Sequence, residues 1–139
     1  MKLSFRRKRL MGLLMFILLG IGALYVWRVL DRPVVTVLNR SGHNIEDIQF
    51  LLGDKEELLG SLNVGEIAKY PLHVKTARGL EIRFQFKNGQ IVKKPVGYIE
   101  ARGGYRFQIE IFPDGKIKRK AAMNAGLFGN WADLDGNPI

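Results

Sequence analysis

Glu81-Ile82-Arg83-Phe84-Gln85-Phe86-Lys87-Asn88-Gly89-Gln90-Ile91 is the stretch that decides the fold. Ile82, Phe84 and Phe86 fall on one side of an extended chain, and Glu81, Arg83, Gln85 and Lys87 on the other. Side chains alternate across a strand with a period of two, so this segment reads as a strand with one dry and one wet face. A helix would need its apolar residues three and four apart. Asn88-Gly89 suits the left-handed backbone of a two-residue hairpin and predicts a second strand after it.

The pattern repeats outward from there. In Arg106-Phe107-Gln108-Ile109-Glu110-Ile111 the apolar residues again share one face. Pro113-Asp114-Gly115 marks a further hairpin before Lys116-Ile117. Arg40-Ser41-Gly42, Leu52-Gly53-Asp54, Asn63-Val64-Gly65-Glu66, Arg78-Gly79 and Gly103-Gly104 supply the other turns. The spacing predicts strands over 34–39, 45–52, 57–62, 67–75, 80–87, 90–99, 104–112 and 116–119. About seven or eight short strands predict an all-β domain, an antiparallel sandwich over residues 34–120. Pro71 and Pro95 cannot donate to a ladder, which assigns their strands to edges or bulges.

Upstream, Leu10 to Trp27 is an unbroken apolar run, about 27 Å long as a helix and close to the ~30 Å hydrocarbon core of a bilayer. Residues 10–30 are therefore expected to be a transmembrane helix acting as a signal anchor, with 31–33 a short linker. Lys2, Arg6, Arg7, Lys8 and Arg9 precede the run, in a basic segment over residues 1–9; Arg28 and Arg32, with Asp31 between them, follow it. Lys and Arg are retained on the cytoplasmic side. The N-terminus is thus expected inside the cytoplasmic (inner) membrane and the later domain in a periplasmic or extracellular space. A cleaved signal peptide is the competing reading. The run is longer than the usual h-region of about 7–15 residues, and Leu24-Tyr25-Val26-Trp27 is too bulky for a cleavage site.

Charge is unevenly spread. The chain carries +9 overall, of which residues 1–33 hold +6, so much of the basicity is the topology signal and argues poorly for nucleic acid. Residues 34–68 carry −4 and residues 69–120 carry +9. There is no cysteine, hence no disulfide and no thiol chemistry.

Val37-Leu38-Asn39-Arg40-Ser41-Gly42, Ile45-Glu46-Asp47-Ile48 and Leu59-Gly60-Ser61-Leu62-Asn63-Val64-Gly65-Glu66, with Gly97-Tyr98-Ile99 and the Pro113-Asp114-Gly115 hairpin, carry a resemblance. The chain resembles small membrane-anchored bacterial immunoglobulin-like β-sandwich proteins to which no activity is assigned. The likeness covers roughly residues 34–119 and consists of turn chemistry. It implies a fold and a location and brings no catalytic residue, since many functions share this sandwich.

No catalytic or metal-binding constellation emerges. His43 and His73 are too few and too far apart for a metal site. Ser41 and Ser61 lack the G-x-S-x-G setting of a nucleophile. Glu46-Asp47 and Glu56-Glu57 are neighbours, which a strand points to opposite faces. Asp133-Leu134-Asp135-Gly136-Asn137 has some features of a calcium loop but lacks its bidentate Glu. Asn39-Arg40-Ser41 fits the glycosylation pattern, which is frequent by chance. No enzyme activity, metal, small-molecule cofactor or nucleic-acid partner is expected.

Two features remain as candidate binding elements. Arg83, Lys87, Lys93, Lys94, Lys116, Lys118, Arg119 and Lys120 form a candidate surface for an anionic partner, set against the plainer reading of a solvated face that guards edge strands. The segment 121–139 reads as an irregular tail, in which Phe128 and Trp131 are candidate docking anchors. The functional expectation is a non-catalytic single-pass membrane protein whose exported sandwich binds a protein partner in the cell envelope. Two alternatives stand beside it: an exported inhibitor or immunity-type protein, and a domain that binds lipid or an envelope polymer through a basic face.

Overall fold

A computed structural model describes residues 5–123 and 131–135. They fall into two compact units, residues 1–30 and 31–139. The first is helix α1 (Phe5–Leu30). The basic cluster is part of it, although only the backbone of Arg6, Arg7 and Lys8 is described. Its window Arg9–Arg28 has mean hydropathy 2.3 and is long and apolar enough to cross a membrane, a test that a signal sequence also passes. Leu10, Phe16, Leu19 and Leu24 are all exposed, so no polar side faces water.

The second unit is mostly β. Its strands are β1 (Val34–Asn39), β2 (Ile45–Leu52), β3 (Lys55–Leu62), β4 (Ile67–Pro71), β5 (Arg78–Phe86), β6 (Ile91–Ile99), β7 (Arg106–Ile111), β8 (Ile117–Ala122) and β9 (Ala132–Asp133). They make a five-stranded sheet, β4-β1-β7-β8-β9, and a four-stranded sheet, β3-β2-β5-β6. Val35, Val37, Phe107 and Ile109 from the first sheet join Ile48, Phe50, Ile82 and Phe84 from the second in one buried cluster. The alternation that defined the strands thus points each apolar face at the other sheet. On one side the sheets meet through the edge-to-face pair Phe50–Tyr70, with ring centroids 6.0 Å apart. Burial raises the Tyr70 phenol above its ordinary pKa, with a smaller push from Glu66. On the other side, a Cβ on Gly97 would come within 3.0 Å of the Phe107 ring, so this glycine permits the close approach of β6 to β7.

Several expectations need correction. The strand pairing is not purely antiparallel, because β1 runs parallel to β7, Val35 beside Phe107 and Asn39 beside Ile111. Alternation has the same period in both directions, so it cannot reveal strand polarity. The loop before β7 returns the chain to the end where β1 begins, and this sets the polarity. The strand expected over 67–75 stops at Pro71, and Leu72, bonded through its N–H to Pro33 O, is buried at the bottom of the core. The boundary expected at residue 120 falls inside β8, and part of the tail returns as the ninth strand, two residues long. Pro71 and Pro95 do lie on edge strands, and the register of β6 shifts opposite Leu80 and Glu81.

The expected linker is also no linker. Asp31 Oδ1 accepts from Gly103 N–H at 2.8 Å, and Asp31 O accepts from Gly104 N–H at 3.2 Å. Arg32 O accepts from the Arg106 guanidinium at 2.6 Å. The chain therefore binds the β domain from the first residue after α1.

At the opposite end, Asn39 is fully buried. Its Nδ2 donates toward His43 O, Leu62 O and Asn63 O at 2.8, 3.1 and 3.0 Å. Its Oδ1 accepts from Ser41 N–H and Oγ–H. Its backbone N–H donates to Glu66 O, and its backbone O accepts from Gly65 N–H. Asn39→Asp keeps the size but turns an oxygen toward three carbonyl oxygens. Urea unfolding in detergent should show a loss of about 3 kcal/mol at neutral pH. Part of it should return at acidic pH, where the introduced carboxyl regains a proton to donate. Unchanged stability would remove Asn39 as the organiser of this end.

Candidate functional site

Strand β8 carries the densest run of cations, and its register on β7 sorts them. Ile117 and Arg119 stand opposite the buried Ile111 and Ile109. Lys118 and Lys120 stand opposite Glu110 and Gln108, on the outer face. Arg119 therefore starts on the core side and turns out over the open seam between the sheets. There its Nη1 donates to Pro95 O of β6 at 3.0 Å, and its Nε donates to Asp135 Oδ1 at 2.8 Å. Asp135 Oδ2 also accepts the backbone N–H of Arg119 at 2.6 Å. Leu134 N–H donates to Arg119 O at 3.0 Å. One arginine thus ties β8 to the other sheet and to the returning tail.

This arrangement changes the reading of the basic surface. Arg119 is a structural clamp with a carboxylate already on it. Lys116 pairs with Asp114 at 2.7 Å, Lys93 with Glu81 at 2.8 Å and Lys118 with Asp133 at 3.8 Å. Arg83, Lys87, Lys94 and Lys120 have no ion pair among the described residues. Nor do the eight share a face. Arg83 and Lys93 are register partners on the outside of the four-stranded sheet, while Lys118 and Lys120 lie on the outside of the five-stranded one. Lys87 sits at the end of β5 and Lys94 on the exposed edge strand β6. Residues close in sequence or charge have been separated by the fold. Asp133 and Asp135, which suggested a calcium loop, are partners of Lys118 and Arg119. Among the described residues no group of three His, Cys, Asp or Glu is placed to hold a metal ion.

The seam opens beside this clamp into a groove of about 650 Å³. Phe112, Pro113 and Ile117 give it an apolar lining, and Asp114, Lys116, Lys118, Asp133 and Asp135 give it a charged rim of both signs. The β7–β8 hairpin that forms one wall is fixed by Gly115, whose φ of +74 suits glycine and whose Cβ position lies 3.0 Å from Val92. Sequence reasoning found the hairpin and the lysines. It missed the groove, because the opposite wall comes from residues 16 positions further on, as the Arg119–Asp135 bonds record. Asp133 and Asp135 were visible, but no periodicity tied them to β8.

His43 and His73 are exposed in loops at opposite ends of the domain. Ser41 is buried in the Asn39 network, with its Oγ within 2.8 Å of His43 O. Asn39 of the glycosylation pattern has no exposure at all. Trp131 is 41% exposed. Phe128 lies outside the described residues.

No family model matches this chain, and no curated protein matches it. Among solved structures, the NMR structure of a protein from Eubacterium rectale is similar at TM-score 0.47 and 12% identity, over 69% of this chain and 91% of that one. A likeness at that score carries no argument about activity.

Two outcomes follow for the groove rim. Removing the clamp with Arg119→Ala should free the tail from β8. Hydrogen exchange at the Leu134 amide should then quicken at least about tenfold, a change of about 1.4 kcal/mol, while core amides such as Ile109 keep their protection. Equal exchange in both proteins would show that the tail is held by something else. The second outcome concerns pH. The hydrogen bond from Lys116 holds the Asp114 carboxyl below its ordinary pKa, and the bond to Asp114 holds the Lys116 ammonium above its own. The acid's contribution is therefore lost only as pH falls through its lowered value, and the lysine's only as pH rises through its raised value. The Asp114 side-chain NMR signal should titrate below the midpoint of a free aspartate, about 3.9, and in Lys116→Ala that midpoint should rise. A midpoint that Lys116→Ala leaves unchanged would contradict the pairing.

Proposed function

We propose that this chain is a single-pass membrane protein whose exported β domain binds a protein partner of the cell envelope without catalysing a reaction. The observation that carries the reading is the groove along β8. An apolar floor with a rim of both charge signs suits an extended polypeptide better than a purely anionic polymer, which would meet Asp114, Asp133 and Asp135 as well as the lysines. β9 is register-paired only with Lys120 and Ala121, so the β8 edge near Ile117 is uncovered beside the groove. A partner segment can add there as a further strand, with its side chains over Phe112 and Ile117.

The membrane assignment is supported by α1. A helix apolar on every side, headed by a basic cluster, fits a bilayer with the N-terminus in the cytoplasm and the β domain periplasmic or extracellular. The immunoglobulin-like kinship is likewise a proposal. Two facing sheets with hairpins β2–β3, β5–β6 and β7–β8 are in keeping with it.

Photo-crosslinking in intact cells tests the binding reading. A crosslinking residue at Pro113 or Lys116 of the full-length chain should capture one protein partner. Lys116→Glu with Lys118→Glu should cut capture from Pro113 about tenfold or more, in line with loss of two interfacial charge contacts. Capture unaffected by the double variant, or absent at both positions while a residue on the outer face of β5 does capture, would move the interface off the groove.

A further inference from the structure

The β domain has two ends of different chemistry, and the groove accounts for only one. The other end is where the chain enters. Asp31 follows the last residue of α1 and is already bonded to Gly103 and Gly104, so no free chain separates the two. Consecutive Cα atoms are about 3.8 Å apart. If Arg28 ends the apolar span, Asp31 lies three residues on, within the headgroup layer that flanks the hydrocarbon on each side. An anchor at α1 would therefore tether the 98–106 segment within reach of the headgroups.

The residues on this end suit that place. Arg32, Lys75 and Arg102 are exposed, and none has an ion pair among the described residues. Tyr98 is 60% exposed and Trp131 41%. Tyr and Trp favour the headgroup zone, where their rings sit in the boundary and their polar atoms stay wet. The acids at this end are largely engaged. Asp31 accepts from backbone N–H groups and Asp54 faces Arg78 at 3.6 Å, which leaves Glu56 and Glu100 as the opposing charges. The net balance is cationic.

We propose that this end of the domain rests on anionic phospholipid headgroups of the membrane that holds α1, through Arg32, Lys75 and Arg102, with Tyr98 and Trp131 at the interface. The inference depends on α1 being a membrane anchor and assigns the domain an orientation. The lipid-bound end faces the bilayer, and the groove opens at the far end of β8.

The two tryptophans of the chain, Trp27 and Trp131, allow both claims to be read separately. Full-length protein is reconstituted in phosphatidylcholine vesicles, with or without phosphatidylglycerol. In Trp131→Phe, acyl-brominated lipid should quench Trp27; failure there would remove the anchor and this inference with it. In Trp27→Phe, headgroup-spin-labelled lipid should quench Trp131 at least about twofold more when phosphatidylglycerol is present. Adding Arg32→Glu, Lys75→Glu and Arg102→Glu should abolish that difference, and so should raising salt, which shortens screening from about 10 Å to 3 Å between 0.1 M and 1 M. The salt arm needs no substitution at the surface itself. Quenched Trp27 together with a Trp131 that is open to acrylamide in both lipids would overturn the proposal alone and free this end for a protein. Equal headgroup quenching in both lipids, indifferent to salt, would also overturn it, because charge would then play no part.

Discussion

The carboxamide of Asn39 has no access to water, so each of its polar atoms must be answered by protein. That constraint organises one end of the domain. The amide lies at the end of β1 and reaches both the turn that leads into β2 and the turn between β3 and β4. Two loops that each cross from one sheet to the other are thereby fixed to one side chain. The apolar core presses the sheets together without direction, as burial does. The asparagine supplies what burial cannot, a single register between the loops, because any slip would orphan an amide hydrogen or a carbonyl at a cost of about 1–3 kcal/mol. Ser41 completes the set by satisfying Asn39 Oδ1 from the same turn.

Much of the fold was legible because its cause is local. Alternation at Ile82-Arg83-Phe84-Gln85-Phe86 reflects a buried face against a solvated one, and the structure buries those three apolar residues. Asn88-Gly89 and Pro113-Asp114-Gly115 encode their own backbone geometry, and both hairpins close as expected, with Gly89 N–H on Phe86 O and Gly115 N–H on Phe112 O. What was illegible depends on residues far apart. The parallel partnership of β1 and β7 follows from where the chain returns after Ile99. The paired strand at Ala132–Asp133 follows from a carboxylate that meets Arg119 across the seam. Neither leaves a periodic trace.

The candidate site illustrates the same limit in electrostatic terms. Lys116-Ile117-Lys118-Arg119-Lys120 reads as a block of positive charge, yet a strand distributes such a block over two faces and the fold brings acids to three of its four cations. Exposed pairs of this kind contribute little stability, a median near 0–1 kcal/mol. Under the proposed binding role their effect is on specificity. A rim that alternates Lys116, Asp114, Lys118 and Asp133 repels a uniformly charged ligand and can match a segment of mixed charge. This is why a protein segment is favoured over a polymer at the groove, although the sequence left both open.

The two ends are linked by the strands between them. β7 and β8 each span six residues, about 20 Å at the usual rise, and connect the chain-entry end to the hairpin wall of the groove. Arg119 ties the second of them, β8, to β6 and to the tail. Whatever fixes the entry end therefore acts on the same rigid elements that hold the groove open. With Asp31, Arg32 and Val34 all bonded within residues 103–106, the first strand has no slack through which a motion at the groove could be absorbed. The parallel pairing that alternation could not foretell thus joins the chain-entry end to the hairpin end within one sheet.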